Sequence, residues 1–284
     1  MDPIVFFAVI AAAVMHATWN ALVKVSGDRL FSMAVMMFTH SLLAAPFVFY
    51  FGFPDPNAWI WIGLSVVIHL FYYLAVVNQY RYGDLSYVYP MSRGSAPLLV
   101  CFIAYFFVGE ALTTTGVIAI IVISLGILAL AAPPRLKFTL PGKATMAALF
   151  TAITIAGYTF VDGMGGRADP EVFRYIAWLF VFEGVPLLII VLIRRTPAEL
   201  ISSWNTIGLK SLFGGALSTA AYALVIWAMS LSPLAAVSAL RETSVIFAAL
   251  IGTYLMKETL GPRRIAASTL VATGVVILQI AGRS

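Results

Sequence analysis

The chain has 284 residues, of which 62% are hydrophobic and 10% are charged, and its mean hydropathy is +0.98. Soluble domains carry about 25% charged residues, so this composition excludes a soluble globular protein and indicates a membrane protein. The net charge of +5 does not indicate a nucleic-acid partner, because most lysines and arginines lie at the ends of apolar runs, where they orient a chain in a bilayer.

Ten apolar runs are long enough to cross a bilayer, which takes about 20 residues of helix. The predicted transmembrane helices cover residues 4–24, 31–52, 58–80, 86–108, 113–132, 144–164, 172–193, 206–230, 234–256 and 263–281. The longest gap lies midway along the chain. It divides the sequence into two five-helix halves, residues 1–132 and 144–284, joined by a linker at residues 133–143.

The first predicted helix carries polar side chains on one face. His16 and Asn20 lie four residues apart, with Trp19 beside them. An offset of 142 residues superimposes Tyr158 on His16 and Asp162 on Asn20, so the sixth predicted helix repeats the pattern. Asn20 and Tyr158 can hydrogen-bond the amine or carboxylate of a zwitterion, or they can join helices to one another. Asp162, near its predicted helix end, is either a site residue or a hydrated carboxylate.

The third predicted helix has a polar face at helical spacing, formed by Ser65, His69, Tyr72, Val76 and Gln79. An ionisable residue at membrane depth is a functional-site candidate, and a histidine changes charge near neutral pH. His69 is therefore either a site residue or a hydrogen-bonded packing residue.

The fourth predicted helix has an arginine between two prolines. The stretch from Gly94 to Val108 has only fifteen residues, so the helix must extend back through Arg93 and Tyr89 and place the arginine below the headgroups. Pro90 and Pro97 predict a bend or break that exposes backbone carbonyls to a polar interior. Arg93 either contacts a substrate carboxylate there or extends its side chain to the membrane surface.

This arrangement occurs twice. An offset of 148 residues superimposes Arg93 on Arg241 and Glu110 on Glu258, and internal repeats of this kind are typical of secondary transporters.

Basic residues favour the odd-numbered connections, which predicts that these connections are cytoplasmic and that both termini are outside. Because each half has five helices, equivalent loops then lie on opposite faces, and the repeats are inverted.

Some aromatic residues are predicted to lie deep in the membrane. Trp19, Trp178, Tyr222 and Trp227 lie away from the predicted helix ends. They either line a cavity that binds aromatic or cationic substrates, or they pack in the core or against lipid.

Four segments together resemble EamA-type members of the drug/metabolite transporter superfamily. Residues 89–98 follow the pattern Y-P-x-x-R-G-x-x-P-L, and residues 109–112 follow G-E-x-L. Residues 16–24 and 158–163 match through H-A-x-W-N-x-x-x-K and Y-T-x-x-D-G. The resemblance implies an all-α integral membrane protein with ten helices in two inverted repeats around a central substrate cavity, located in a bacterial inner membrane with periplasmic termini.

Within that superfamily the chain is most similar in style to bacterial YddG-type exporters of amino acids and drugs. The resemblance implies a secondary transporter that exports small metabolites, among them aromatic amino acids or amphipathic drugs, by alternating access. Import or exchange of another small polar metabolite stays an alternative, as does proton coupling. The expected partners are a small-molecule substrate and the lipid bilayer.

Other classes of protein are disfavoured. The sequence has no H-E-x-x-H, G-x-S-x-G or P-loop motif, and its single cysteine, Cys101, excludes a cysteine-cluster metal site. We therefore expect no enzyme, no cofactor and no metal. A channel or receptor is disfavoured because no filter motif or soluble signalling domain is present.

Overall fold

In a bilayer core, backbone N–H and C=O groups must be satisfied within the protein, and a helix satisfies them within one segment. The computed structural model describes residues 1–24, 26–83, 85–131, 142–254 and 261–281, and these contain helices and no β-strand. In chain order the helices are α1 (Pro3–Lys24), α2 (Arg29–Phe51), α3 (Ala58–Tyr82), α4 (Leu85–Val108), α5 (Thr114–Ala131), α6 (Lys143–Ala168), α7 (Val172–Arg194), α8 (Pro197–Leu231), α9 (Leu234–Arg241), α10 (Ser244–Tyr254) and α11 (Pro262–Ala281).

The helices agree with the predicted all-α membrane fold. Within the described ranges, nine helical spans are long and apolar enough to cross a membrane, the ninth being Leu234–Ile251 across α9 and α10. A shorter apolar helix, Ile265–Ala281, follows them. Residues 133–141 of the predicted linker and Glu258 lie outside the described residues.

The predicted eighth helix is longer than its apolar run. It begins at Pro197 rather than at residue 206. Thr196 and Glu199 form a capping box, in which each side chain accepts the other residue's backbone N–H. This cap satisfies two helix-terminal donors, so the helix starts in a polar segment that hydropathy alone leaves out.

The prolines do not break the fourth helix, and the ninth breaks instead. α4 is helical from Leu85 to Val108 through both of its prolines. The predicted ninth helix is interrupted between α9 and α10, where the N–H groups of Glu242 and Thr243 donate three residues back instead of four. The Thr243 hydroxyl also donates to the Leu240 carbonyl. Such side-chain competition for a backbone acceptor disrupts a helix without proline.

The helix contacts follow the repeat. α1 of the first half packs against α8 of the second, and α6 of the second half packs against α3 of the first. Because α1 is equivalent to α6 and α3 to α8, these two contacts are the same contact in the two repeats. α2 packs against α7, and α5 packs against α11, so each of these pairs joins equivalent helices. This pattern of contacts is that of two five-helix repeats related by pseudo-two-fold symmetry.

Two equivalent glycines set the distance between α5 and α11. A Cβ added at Gly126 would lie 2.9 Å from the Leu270 Cβ, and one added at Gly274 would lie 3.0 Å from the Ala119 carbonyl oxygen. Both distances are shorter than a normal contact. The absence of a side chain therefore lets the two backbones approach closely, as small residues do between membrane helices.

We expect Gly126→Ala and Gly274→Ala each to destabilise the protein by about 1–3 kcal/mol, the usual cost of overpacking. The matched control is Gly63→Ala in α3, because an added Cβ meets nothing within 4 Å there. The measurement is the free energy of unfolding by SDS titration in mixed micelles. Equal effects at all three positions would show that the close approach does not determine stability.

A buried carboxylate stabilises the turn between α6 and α7. Asp169 is 3% exposed and binds the Arg174 guanidinium, with Nη2 at 2.6 Å from Oδ1. It also accepts the backbone N–H groups of Glu171 and Asp55, which ties this turn to the connection between α2 and α3. Burial raises the pKa of the Asp169 carboxyl, but the Arg174 guanidinium and the two N–H donors outweigh it and lower the pKa below its ordinary value.

Because this pKa is lowered in the folded protein, ionised Asp169 stabilises the fold above the ordinary aspartate pKa of about 3.9, and the contribution is lost as the pH falls below that value. We expect Asp169→Asn to lower the melting temperature at about pH 7 and to have a smaller effect at about pH 3. Asp55→Asn is the control, since the Asp55 side chain accepts the local Asn57 N–H. A pH-independent effect of Asp169→Asn would contradict the ionic contribution.

Candidate functional site

Helices α3, α6 and α8 bring an imidazole and several tyrosines together in the middle of the bundle. The His69 ring stacks on Tyr158 with a centroid distance of 4.4 Å, and Tyr222 approaches it edge-on at 5.5 Å. Tyr72 lies 5.1 Å from Tyr158. The four rings form one wall that is apolar on its faces and carries polar groups at its edges.

Two buried carboxylates lie beside this wall. The His69 Nε2 atom is 3.7 Å from Glu183 Oε1 and 4.0 Å from Asp162 Oδ2. Asp162 accepts the Tyr175 hydroxyl at 3.0 Å on Oδ1 and the Tyr222 hydroxyl on Oδ2. Glu183 is 3% exposed, and Asp162 is completely buried. Hydroxyl donors of this kind compensate the cost of removing a carboxylate from water.

Glu183 is less completely satisfied than Asp162. Its Oε1 accepts the Tyr73 hydroxyl, and its Oε2 has no hydrogen-bond partner within the described ranges. The nearest imidazole to Oε2 is that of His40, whose Nδ1 is 3.7 Å away. Both His40 nitrogens also lack a hydrogen-bond partner among the described residues. These polar atoms are available to a ligand or to water.

The two predicted intramembrane arginines are both 2% exposed and lie inside the bundle. Arg93 donates from Nε to Glu242 Oε2 at 2.8 Å, which links α4 to the break between α9 and α10. Arg241 Nε is 3.6 Å from Glu242 Oε1. Its guanidinium carbon lies 5.8 Å from the centre of the Tyr158 ring. Glu242 therefore bonds more closely to Arg93 than to its neighbour in the sequence, Arg241.

A cavity of about 40 Å³ lies between these groups. It is lined by Ala12, His16, Trp19, Met37, His40, His69, Tyr72, Tyr73, Tyr158, Glu183, Ser218, Ala221, Tyr222, Val225 and Arg241. One water molecule needs roughly 10–15 Å³, so the cavity holds about three waters in this conformation. Glu183 and Arg241 thus place a carboxylate and a guanidinium on one small cavity.

The predicted site residues divide into two groups. Those on the cavity wall are His16, Trp19, His69, Tyr72, Tyr158, Tyr222 and Arg241. Those outside the wall are Asn20, Gln79, Tyr89, Arg93, Asp162 and Trp227. Asp162 lies behind Tyr222, and Arg93 lies behind Arg241 through Glu242.

The remaining candidates have local roles. Asn20 donates from Nδ2 to the His16 carbonyl at 2.8 Å within its own helix. Gln79 is buried in α3, and its Oε1 has no hydrogen-bond partner among the described residues. Tyr89 and Trp227 are partly buried and pack against the hydrophobic core.

Three residues at the centre of the site were missed by the sequence prediction. They are His40, Tyr73 and Glu183. Both His40 and Glu183 lie in the middle of predicted transmembrane helices, where any ionisable residue is a site candidate. The rule that selected His69 therefore also selects these two. Tyr73 is four residues after His69, a spacing that places both on one face of α3, and it lines the same cavity as Tyr72.

The sequence matches the model of the EamA-like transporter family over residues 3–132 and 142–280. The chain belongs to the EamA-like transporter family. The fold also matches a crystal structure with a TM-score of 0.71, over 99% of this chain and 96% of the other. The two sequences are 16% identical, so that likeness concerns the fold alone. A comparison with curated proteins finds no match.

Family membership makes this chain a multi-pass membrane transporter of small substrates. In the conformation described here the cavity is too small for a metabolite. A substrate must therefore enter by separation of helices that line the cavity, which is the movement that alternating access provides. The cavity lies where the two repeats meet, since its wall contains α1, α2 and α3 of one half and α6 to α9 of the other.

We expect Glu242→Gln to destabilise this EamA-like transporter by about 3–5 kcal/mol, because it leaves the Arg93 guanidinium buried without a counter-charge. SDS-induced unfolding in mixed micelles measures this free energy. Glu199→Gln is the matched control, since Glu199 has a 49% exposed side chain and pairs with Arg195 at a helix end.

The double variant Arg93→Met, Glu242→Gln removes both charges. It should recover part of the lost stability, because the unpaired charge and not the missing hydrogen bond is the larger cost. If the double variant is at least as unstable as Glu242→Gln alone, the ion pair is not the dominant interaction at this position.

Proposed function

We propose that this transporter exports amino acids, including aromatic ones, and amphipathic drugs of similar size across a bacterial inner membrane. The observation that carries this proposal is the pair of opposite charges on the central cavity, Glu183 and Arg241. An α-amino acid carries an ammonium group and a carboxylate, and each can pair with one of these side chains. Resemblance of the sequence to YddG-type exporters supports the same substrate class.

Free donors and acceptors favour binding of such a zwitterion. Arg241 has two guanidinium nitrogens, Nε and Nη2, without a hydrogen-bond partner in the described part of the chain. Glu183 Oε2 is equally unpartnered there. A substrate carboxylate can pair with the Arg241 nitrogens, and a substrate ammonium group can pair with Glu183 Oε2. A buried polar group without a partner carries a desolvation cost, so a new partner stabilises it most.

The aromatic wall supports the choice of aromatic amino acids. Tyr72, Tyr158 and Tyr222 line the cavity between the two charged groups, with Trp19 also on the wall. Aromatic side chains bind other rings through edge-on and offset-stacked contacts. The wall is therefore suited to a planar substrate side chain.

The orientation in the membrane follows from the charge distribution of the loops. Basic residues concentrate at the odd-numbered connections between transmembrane helices. The connection between α7 and α8, for example, carries Arg194 and Arg195. By the positive-inside rule this side is cytoplasmic, and both termini are periplasmic. No nucleotide-binding motif is present in the sequence, so the solute gradient or an ion gradient supplies the energy.

The test uses purified protein in liposomes with radiolabelled phenylalanine, tryptophan and threonine. We expect saturable flux, and we expect Arg241→Gln to raise the KM for phenylalanine by about tenfold or more through loss of a charge-assisted hydrogen bond. Phenethylamine lacks the carboxylate, so its transport should change much less. Arg194→Gln, the same substitution at an exposed residue, is the control.

Two results would contradict the proposal in different ways. Absence of saturable flux for every amino acid would make the substrate class wrong. Equal effects of Arg241→Gln on phenylalanine and phenethylamine would show that Arg241 does not recognise the carboxylate.

A further inference from the structure

The ring of His69 lies between hydrogen-bond acceptors on both of its nitrogens. Nδ1 is 3.1 Å from the Ser65 carbonyl oxygen and 3.0 Å from the Ser65 hydroxyl. Nε2 faces Glu183 Oε1 and Asp162 Oδ2. A neutral imidazole always leaves one nitrogen without a proton. Here an unprotonated Nε2 would face two carboxylates, and an unprotonated Nδ1 would accept the Ser65 hydroxyl hydrogen but would still face the Ser65 carbonyl oxygen at 3.1 Å.

We propose that His69 binds a proton as part of the substrate site, and that this imidazolium makes the site selective for zwitterions over amines. The inference rests on the proposed function, because His69 determines the net charge of the side of the cavity that receives the substrate ammonium group. With both nitrogens protonated, Nδ1–H donates to the Ser65 carbonyl oxygen, and the positive ring lies 3.7 and 4.0 Å from the two carboxylates through Nε2.

The charges around the cavity form two poles. On one side are Glu183 and Asp162, and with a protonated His69 their net charge is −1. On the other side are Arg93, Arg241 and Glu242, with a net charge of +1. A zwitterion places one positive and one negative group between these poles and neutralises each of them. Uncompensated charge is costly in a buried site, so both poles favour this ligand.

Loss of the His69 proton changes the preferred ligand. The acidic pole then carries −2, and the whole group of buried charges carries −1. A singly charged amine restores neutrality, whereas a zwitterion does not.

The other groups that face the acidic pole do not replace His69. Tyr73, Tyr175 and Tyr222 donate hydroxyl hydrogens to the two carboxylates. His40 Nδ1 is 3.7 Å from one carboxylate oxygen, and its Nε2 has no hydrogen-bond partner among the described residues. Across the cavity, the His16 ring packs edge-on against Trp19, with a centroid distance of 4.9 Å.

The protonation state can be measured directly because the chain has three histidines. In ¹⁵N-histidine-labelled protein in nanodiscs, we expect one imidazolium signal at about pH 7 that is absent from His69→Gln and present in His40→Gln. A neutral His69 throughout the range from about pH 5 to about pH 8 would overturn the inference. This measurement does not depend on which substrate is transported.

The selectivity is measured as the ratio of phenylalanine to phenethylamine affinity. His69→Gln should lower this ratio by at least about tenfold, given the strength of a close charge interaction in a buried site. Adding Asp162→Asn to the His69→Gln variant removes one negative charge. This double variant should restore the ratio towards that of the wild type. Arg194→Gln, at an exposed residue away from the cavity, is the control and should leave the ratio unchanged.

The two proposals fail in distinguishable ways. An imidazolium at His69 without amino-acid flux would retain the proton site and reject the substrate class. Flux with an unchanged ratio in His69→Gln, or no recovery in the double variant, would retain the transporter function and reject the role of His69 in selectivity.

Discussion

The architecture of the site depends on one buried ion pair, between Arg93 in α4 and Glu242 at the break between α9 and α10. Arg93 and Arg241 are equivalent in the repeat, but the residue after each differs: Gly94 follows the first, and Glu242 follows the second. A single carboxylate therefore serves two guanidinium groups. Because it bonds Arg93 at 2.8 Å, Arg241 keeps unpartnered nitrogens on the cavity wall.

This asymmetry shows how an internal repeat can form one binding site instead of two. Pseudo-symmetry determines which helices meet, as in the contacts of α1 with α8 and of α6 with α3. It does not determine which polar groups remain available. Glu183 in α7 and His69 in α3 have no ionisable counterpart at the repeat offset of 148, and they make the opposite wall acidic.

Most of the fold could be predicted from the sequence, because bilayer thickness and hydropathy determine the helices and the offset of 148 residues gives the repeat. The details that failed depend on competition at particular atoms. α4 remains helical through Pro90 and Pro97, while α9 ends where the Thr243 hydroxyl takes a backbone acceptor. The site was only partly predictable, because spacing within one helix cannot show that Glu183 meets His69 from another helix.

Separation of charge places a physical constraint on any ligand of this cavity. A small ion with one net charge can satisfy only one wall and leaves the other with uncompensated polar atoms in a low-dielectric interior. A ligand with two opposite charges satisfies both walls at once, provided that its length matches their separation. The aromatic rings of the same cavity cannot compensate a full charge, so they suit the apolar part of the ligand. The constraint thus comes from the position of Arg241 and Glu183 on one cavity rather than from either residue alone.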